Sequence, residues 1–301
     1  MDTEKSFVPE TTTYAMGWLR DLPDFRDYTP ENAAIQPLLA KAHVSDALKA
    51  NMSLTDRVDL RAYCPPIEDQ LTIGSCTANA AVGMLEYFER RAFGKHIDAS
   101  RLFLYKVTRS LLGWTGDTGA YLRTVMGAMA LFGVTPEKYY PYKIADFDKE
   151  PPAFCYALAQ AYKAVRYYRL DPAGTTPTDL LARIKANLAA GLPSMFGFTV
   201  YDSIYSQLTQ TTGKIPFPVP TDKVVGGHAI VAIGYDDTLQ ITHPTNGATT
   251  VGAFIIRNSW GTTWGDRGYG YIPYDYVLKG LAVDWWSLIK ADWIDTGNFD
   301  L

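Results

Sequence analysis

The periodicity of the apolar residues changes near residue 193. Before this point, apolar residues recur every three or four positions, as they do in an amphipathic helix; such patterns cover residues 77–92, 101–112, 122–132 and 178–190. After it, short runs rich in Val, Ile, Phe and Tyr alternate with Gly, Asp and Thr turns, as strands do; these runs are 194–200, 229–235, 253–257, 270–273 and 284–291. Helices in one half and strands in the other predict an α+β fold with segregated layers.

The composition excludes several classes of protein. The chain has 301 residues, of which 47% are hydrophobic and 20% charged, with a formal net charge of −4. A disordered chain would be less apolar, and a membrane span would need an apolar run of roughly 20 residues. The mild negative charge, without a Lys/Arg run, gives no basis for nucleic-acid binding. We therefore expect a monomer with neither membrane nor nucleic acid as a partner, large enough for two halves around a cleft.

Cys64, Cys76 and Cys155 are the only cysteines, an odd and small number that does not suggest a disulfide scaffold. At most one bridge can form, and whether Cys64 pairs with Cys155 is left open. A metal site made of Cys64, Cys155 and a histidine lacks any ligand spacing, so we predict neither a metal nor another cofactor. The first 20 residues lack a basic start followed by an apolar core. No secretory signal is therefore predicted, which favours a cytoplasmic location.

Residues 1–55 differ from the rest of the chain, and we predict an accessory N-terminal segment there and a catalytic domain over 56–301. Residues 1–13 are polar. Residues 18–28 mix aromatic and charged side chains around Pro23, which suggests an extended segment lying on another surface. Residues 30–50 contain a short helical pattern whose far end is blurred by polar Ser45 and Asp46.

Four residues have side chains suited to thiol catalysis. Cys76 begins the clearest helix, whose positive N-terminal end favours a thiolate. His228 opens an apolar strand and can exchange a proton with the thiol, while the Asn258 amide can hold the imidazole in one tautomer. Gln70, together with the Cys76 backbone N–H, can bind an oxyanion.

The motifs around these residues resemble the papain family of cysteine peptidases. They are Gln-x5-Cys with Gly-Ser before the cysteine (Gln70, Gly74, Ser75, Cys76), Gly-His-Ala (Gly227, His228, Ala229), and Asn-Ser-Trp-Gly-x-x-Trp-Gly-x-x-Gly-Tyr (Asn258, Ser259, Trp260, Gly261, Trp264, Gly265, Gly268, Tyr269). The resemblance covers about residues 57–290, and Tyr140-Pro141-Tyr142 also matches. The sequence around Cys76 and the early segment Pro23-Asp24-Phe25-Arg26-Asp27 are similar to the corresponding sequences in a bacterial branch of the family.

The resemblance implies a two-lobed fold, with Cys76 in a helical half, His228 and Asn258 in a β-barrel-like half, and the active site in the cleft between them. It implies an endopeptidase that forms a thiolate–imidazolium pair and an acyl-enzyme and acts on peptide or protein substrates. Substrate-binding residues are then expected at Gly119, Ala120, Gly227 and Trp260. Because the first three are small, the pocket for the side chain two residues before the scissile bond is expected to be apolar and to accept Leu, Phe or Val.

Some positions depart from the family pattern. Ile73 replaces the cysteine usually found three residues before the nucleophile, and Thr77 replaces the aromatic residue after it. The interval between His228 and Asn258 is long, and residues 236–252 are expected to form an extra hairpin or loop.

Alternatives remain open for each feature. Cys76 could be a buried structural thiol, His228 a core histidine and Gln70 an ordinary loop residue. The fold could serve an acyl transferase, an amidase or a catalytically silent binding protein. Residues 1–55 could be a propeptide, a permanent clasp or a free tail; we expect residues 14–30 to lie near the cleft and limit access, as in a zymogen. His43, His96 and His243 are predicted at the surface.

Overall fold

The computed structural model describes residues 14–49, 54–163 and 166–299. The helices in chain order are α1 (Gln36–Lys41), α2 (Val44–Lys49), α3 (Cys76–Phe93), α4 (Arg101–Leu111), α5 (Leu122–Phe132), α6 (Ala153–Ala159), α7 (Pro177–Ala189), α8 (Gln207–Thr212), α9 (Asp275–Leu278) and α10 (Ala291–Ile294). The strands are β1 (Trp18–Leu19), β2 (Arg57–Asp59), β3 (Ala120–Tyr121), β4 (Arg166–Arg169), β5 (Ser194–Tyr201), β6 (Val224–Thr242), β7 (Thr249–Arg257), β8 (Tyr269–Pro273) and β9 (Ala282–Ile289). The predicted α+β division is confirmed.

The longest helix, α3, is the centre of the helical half. Its first thirteen residues, from Cys76 to Phe88, are all buried, because α4 and α5 pack on one side and strands β5 and β6 on the other. The helix ends where Gly94 adopts a left-handed conformation (φ 69°) and its N–H donates to the Arg90 carbonyl, a common way to close a last turn. Among the described residues, no helix is both long and apolar enough to span a bilayer.

The second half is an antiparallel sheet in the order β4-β9-β5-β6-β7-β8, with β2 paired to the outer part of β6. In the described part of the chain this sheet does not close into a barrel. The expected insertion at residues 236–252 is a hairpin that extends β6 and β7, with Thr242 paired to Thr249. Its turn contains His243, which is 1% exposed and bonded to Asp222 (Nε2···Oδ2 2.9 Å), so the predicted surface position is wrong.

Residues 14–29, called the N-terminal segment below, cross from one half to the other. Strand β1 within it pairs in parallel with β3, next to α5, and further along the Tyr28 carbonyl accepts the backbone N–H of Arg169 in β4. Residues 1–13 lie outside the described residues. The helical pattern predicted over 30–50 is two helices, because His43 (φ 57°) interrupts it between α1 and α2.

Candidate active site

Cys76 is the first residue of α3, and the loop before it is held from two directions. The Gly74 N–H donates to both carboxylate oxygens of Asp117 (2.9 and 3.0 Å). The Ser75 hydroxyl bonds the Tyr142 hydroxyl (2.6 Å), which in turn donates to the Gln70 carbonyl (2.9 Å). These bonds fix the start of the helix, so the thiol is positioned by rigid neighbours on both sides.

His228 and Asn258 meet where β6 and the end of β7 lie side by side. His228 Nε2 lies 2.8 Å from Asn258 Oδ1, and the same oxygen accepts the N–H of Ser259. An acceptor oxygen requires a donor, so in the neutral ring Nε2 carries the hydrogen and Nδ1 is free to accept a proton. Among the described residues, buried Nδ1 has no hydrogen-bond partner. The Trp260 ring stacks on the imidazole at 4.4 Å and shields this contact from water.

Gln70 is oriented by the residue that follows Asn258. The Ser259 hydroxyl donates to Gln70 Oε1 (2.7 Å), which leaves the amide nitrogen as the donor facing the cleft. Gln70 Nε2 donates to the carbonyls of Ile73 (3.1 Å) and Ala15 (3.0 Å). The Ala229 backbone N–H interacts with the Cys76 sulfur, which brings the thiol next to the histidine strand. All four residues predicted for catalysis therefore converge on one place.

The protonation of this pair is set by burial. Desolvation raises the pKa of the Cys76 thiol to about 11, despite opposing backbone N–H contacts from Ala229 and Gly17. Desolvation also lowers the pKa of His228 to about 4, which the hydrogen bond that His228 donates to Asn258 only partly offsets. Both side chains are fully buried, so the covered site favours a neutral thiol beside a neutral imidazole.

The N-terminal segment covers Cys76 and His228. The Gly17 N–H points at the Cys76 sulfur, and the Gly17 carbonyl accepts the N–H of Ala120 (2.8 Å). A side chain on Gly119 would overlap that same carbonyl, and one on Gly227 would overlap the Trp18 ring. Gly119 and Gly227 thus leave the space that the segment occupies.

Tyr14 completes the contact at the other end of the site. Its ring stacks on Trp260 at 4.2 Å with an interplanar angle of 8°, so Trp260 lies between Tyr14 and His228. Gly119, Ala120, Gly227 and Trp260, the residues expected to bind substrate, are therefore all in contact with residues 14–18.

Several contributors were missed from the sequence. Asp117 and Ser259 position the loop and Gln70 through side-chain hydrogen bonds that no spacing reveals. Asp284 accepts the indole N–H of Trp18, and its charge at the start of an otherwise apolar predicted strand is a sequence signal for such a buried polar contact. Cys64 and Cys155 are free and buried, so neither forms a disulfide.

Comparison with known proteins agrees with this site. The family Peptidase_C1, papain family cysteine protease, matches residues 54–280. An uncharacterised peptidase C1-like protein of Acanthamoeba polyphaga mimivirus is 33% identical over 297 residues, which span 96% of this chain and 91% of that protein. A cathepsin L-like proteinase of Fasciola hepatica is 25% identical over 277 residues, 85% of this chain and 73% of that protein.

Solved structures give the same result. The structure of xylellain, a cysteine protease from Xylella fastidiosa, superimposes with a TM-score of 0.74 and 30% identity over 94% of this chain and 99% of that one. The predicted papain-like architecture and the predicted resemblance are both confirmed, and the enzyme is a thiol hydrolase whose substrates are peptides or proteins. With a family match over most of its length and a relative 33% identical along nearly all of it, the chain belongs to the papain family of cysteine proteases.

Proposed function

We propose that the enzyme is an endopeptidase that hydrolyses peptide bonds through an acyl-enzyme on Cys76, and that its own N-terminal segment limits access to the site. The observation that supports this most strongly is the convergence of Cys76, His228, Asn258 and Gln70 beneath residues 14–18. In the same proposal, residues 1–55 are the accessory part and residues 56–301 the catalytic domain. One copy of the chain supplies all four side chains, so the proposed reaction requires only a monomer.

The mechanism follows from the hydrogen bonds at rest. When substrate replaces the segment, His228 Nδ1 takes the thiol proton, because Nε2 is already committed to Asn258. The sulfur attacks the scissile carbonyl, and the oxygen that becomes negative is bound by Gln70 Nε2. The imidazolium then protonates the leaving amine, and water releases the acyl group by the same path in reverse.

Burial explains why the resting site is not charged. With the segment in place, burial raises the pKa of Cys76 to about 11 and lowers that of His228 to about 4, which favours a neutral thiol and a neutral imidazole over the ion pair. Removing the segment readmits water, which lowers the cost of both charges and favours the thiolate–imidazolium pair.

The segment occupies the cleft without presenting a cleavable bond. Gln70 Nε2 holds the Ala15 carbonyl, whereas the Cys76 sulfur faces the N–H of Gly17. In a productive complex, the carbonyl whose oxygen binds Gln70 must also offer its carbon to the sulfur. Because these two requirements are divided between residues 15 and 17, the segment can act as an inhibitor that survives contact with the nucleophile.

The first test is a pair of cysteine variants assayed with a fluorogenic peptide. Cys76→Ser is expected to lower kcat/KM by at least about a thousandfold, since the hydroxyl is a far weaker nucleophile with this base. Cys155→Ser, which changes another buried thiol, is the matched control and should keep most of the activity. Full activity of a folded Cys76→Ser variant would overturn the proposal.

The same assay separates the alternatives. Transfer of the acyl group to an added amine in preference to water would favour an acyl transferase or amidase. Absence of turnover in a Gly17→Ala chain, whose added methyl group displaces the segment, together with no labelling of its Cys76 by the epoxide inhibitor E-64, would favour a silent binding protein.

A further inference from the structure

The hydroxyl of Tyr142 joins two positions of the active-site loop that are five residues apart in sequence. It lies 2.6 Å from the Ser75 hydroxyl and 2.9 Å from the Gln70 carbonyl oxygen. Ser75 directly precedes Cys76, which is the first residue of α3 and therefore has a backbone N–H without a partner inside the helix. The two positions thus carry the two candidate oxyanion donors, the Gln70 side-chain amide and the Cys76 backbone N–H.

The hydrogen bonds around this hydroxyl form a chain with one direction. The chain starts at Arg101, whose guanidinium can only donate and whose Nη1 lies 3.3 Å from Asn79 Oδ1. The Asn79 amide nitrogen therefore faces the Ser75 hydroxyl and donates to it (3.0 Å). At the other end, the Gln70 carbonyl can only accept, so it receives the Tyr142 O–H and the Ser75 hydroxyl must donate to the Tyr142 oxygen. Hydrogen bonds aligned in this way polarise and strengthen one another.

The Tyr142 ring is itself held from two sides. The Arg101 guanidinium lies over its face, 4.0 Å from the ring centre, and is paired with Glu68 Oε2 (3.0 Å). The Tyr142 backbone N–H donates to Glu137 Oε1 (2.6 Å). Burial raises the pKa of Tyr142 to about 12, so the hydroxyl keeps its hydrogen at neutral pH. The donor to the Gln70 carbonyl is therefore fixed both in position and in protonation.

The loop between the two donors is exposed in its middle. Leu71 and Thr72 are exposed, and Leu71 has a left-handed backbone (φ 54°), which is unfavourable for a residue other than glycine. Such a conformation persists only when its surroundings hold it, and the Tyr142 hydroxyl is bonded to both ends of this loop. Without the hydroxyl, the separation between the Gln70 amide and the Cys76 N–H can change. A misplacement of about 1 Å can lower a reaction rate by about a hundredfold.

Resting on the proposed function, we propose that Tyr142 is a positioning residue that sets the spacing of the two oxyanion donors. Its hydroxyl bonds Ser75 and Gln70, so it acts on the reaction through them. The oxyanion develops in the transition state and is absent from the bound substrate, so the correct spacing stabilises the transition state selectively. Tyr142 should therefore affect kcat and leave KM nearly unchanged.

The test uses Tyr142→Phe, which removes the hydroxyl and keeps the ring, in a full-length chain that carries Gly17→Ala to open the cleft. We expect kcat on a fluorogenic peptide to fall by about tenfold to a hundredfold, while KM changes by less than about twofold. Tyr140→Phe is the matched control, because its hydroxyl donates to the Lys149 carbonyl (2.8 Å), and it should keep both constants. An unchanged kcat in folded Tyr142→Phe would overturn the inference.

A second readout separates the spacing of the donors from general damage to the site. Iodoacetamide alkylates the Cys76 thiolate: a sulfur–carbon bond forms, iodide leaves, and the attacked carbon carries no oxygen. The rate of inactivation by iodoacetamide therefore does not depend on an oxyanion site, and we expect the same rate in Tyr142→Phe as in the Gly17→Ala parent. A rate that falls by the same factor as kcat would show that the hydroxyl supports only the nucleophile, and would overturn the inference.

A further variant covers the case in which Tyr142→Phe does not fold. Ser75→Ala breaks the same hydrogen-bond chain one link earlier and should also lower kcat without changing the rate of alkylation. An unchanged kcat in folded Ser75→Ala would then overturn the inference. Absence of turnover in the Gly17→Ala parent, with no alkylation of its Cys76, would instead overturn the proposed function itself.

Discussion

The two ends of the N-terminal segment bind by different means. At the candidate active site, residues 14–18 bind through main-chain groups: the Ala15 carbonyl on Gln70, the Gly17 N–H on the Cys76 sulfur, and the Gly17 carbonyl on Ala120. The aromatic rings of Tyr14 and Trp18 pack on either side of these contacts. Residues 21–28 bind mainly through charged side chains. Any peptide offers main-chain groups, so the cleft end resembles a substrate, whereas the anchor end is specific to this sequence.

The anchor end is a compact network of charge. Asp27 forms a bidentate pair with Arg123 (2.7 and 2.6 Å). Asp21 is buried, where its carboxylate accepts from the Trp286 indole N–H (2.9 Å) and lies 3.9 Å from Arg169. Because Arg123, Arg169 and Trp286 lie outside the segment, the network ties residues 21–27 to the rest of the protein independently of the contacts at Cys76. The comparison teaches that occupancy of the cleft is set by tethering as well as by fit.

The largest effect is expected from a single methyl group at the cleft end. In Gly17→Ala, the added Cβ would overlap the backbone carbonyl of Gly74, which cannot move without disturbing the start of α3. Overpacking of this kind costs about 1–3 kcal/mol, which shifts the equilibrium toward the open cleft. We expect kcat/KM on a fluorogenic peptide to rise by roughly 5- to 150-fold.

The control for this variant lies in the same segment. Phe25 is 98% exposed, so Phe25→Ala removes an apolar side chain that contributes no packing and should leave kcat/KM as it is. A folded Gly17→Ala enzyme with the activity of the unsubstituted chain would show that the segment does not limit access.

The next effect in size comes from the anchor. Asp27→Ala removes the partner of Arg123, whose side chain is 22% exposed, so the loss is smaller than for a fully buried pair. We expect the free energy of docking to weaken by about 1 kcal/mol, because the tether is lost while the cleft contacts stay intact. This corresponds to roughly a fivefold rise in kcat/KM. Glu31→Ala, which removes an exposed pair with Arg183 just beyond the segment, serves as the control. An effect of equal size in both variants would contradict a specific anchor role for Asp27.

The sequence predicted which residues converge at the candidate active site better than it predicted how the N-terminal segment is held. The four catalytic candidates came from motifs in which residue type and spacing carry the chemistry, and the helices of the first half came from apolar periodicity. The segment itself was predicted to lie on the catalytic domain because it holds Trp18, Leu22, Phe25 and Tyr28. Of these, Leu22 and Phe25 are 75% and 98% exposed. The prediction that the segment lies on the rest of the protein therefore relied partly on two side chains that face solvent.

The residues that position the N-terminal segment cannot be identified from the sequence pattern around the segment itself. Gly197 and Gly227 are distant from Trp18 in sequence, and only the pairing of β5 with β6 makes them one wall. Asp284 reaches the Trp18 indole at a bulge in β9, and a bulge depends on the register of two strands. Both are consequences of long-range pairing, which no single segment specifies.

The last effect is the pH dependence of docking, and it again involves residues 21–28 of the segment. Asp21 is faced by Asp284 and Trp286 of β9, Arg123 of α5, Arg169 of β4 and Asp27 of the segment. Burial, followed by the Asp284 charge, raises the pKa of Asp21 to about 7. A free aspartate has a pKa near about 3.9, so the docked segment binds more protons than the released one between these values. Docking is therefore most favoured below about pH 4 and weakens as the pH rises through about 7.

Hydrogen exchange at the Ala120 amide, which donates to the Gly17 carbonyl, reports the docked state directly. After correction for the intrinsic exchange rate, we expect protection to be higher at pH 5 than at pH 8. Asp21→Asn removes the titrating group but keeps an acceptor for Trp286, so its protection should vary much less with pH. Protection that is constant or grows with pH in the unsubstituted chain would show that the anchor does not take up a proton on docking, and would leave the two ends of the segment alike in their response to pH.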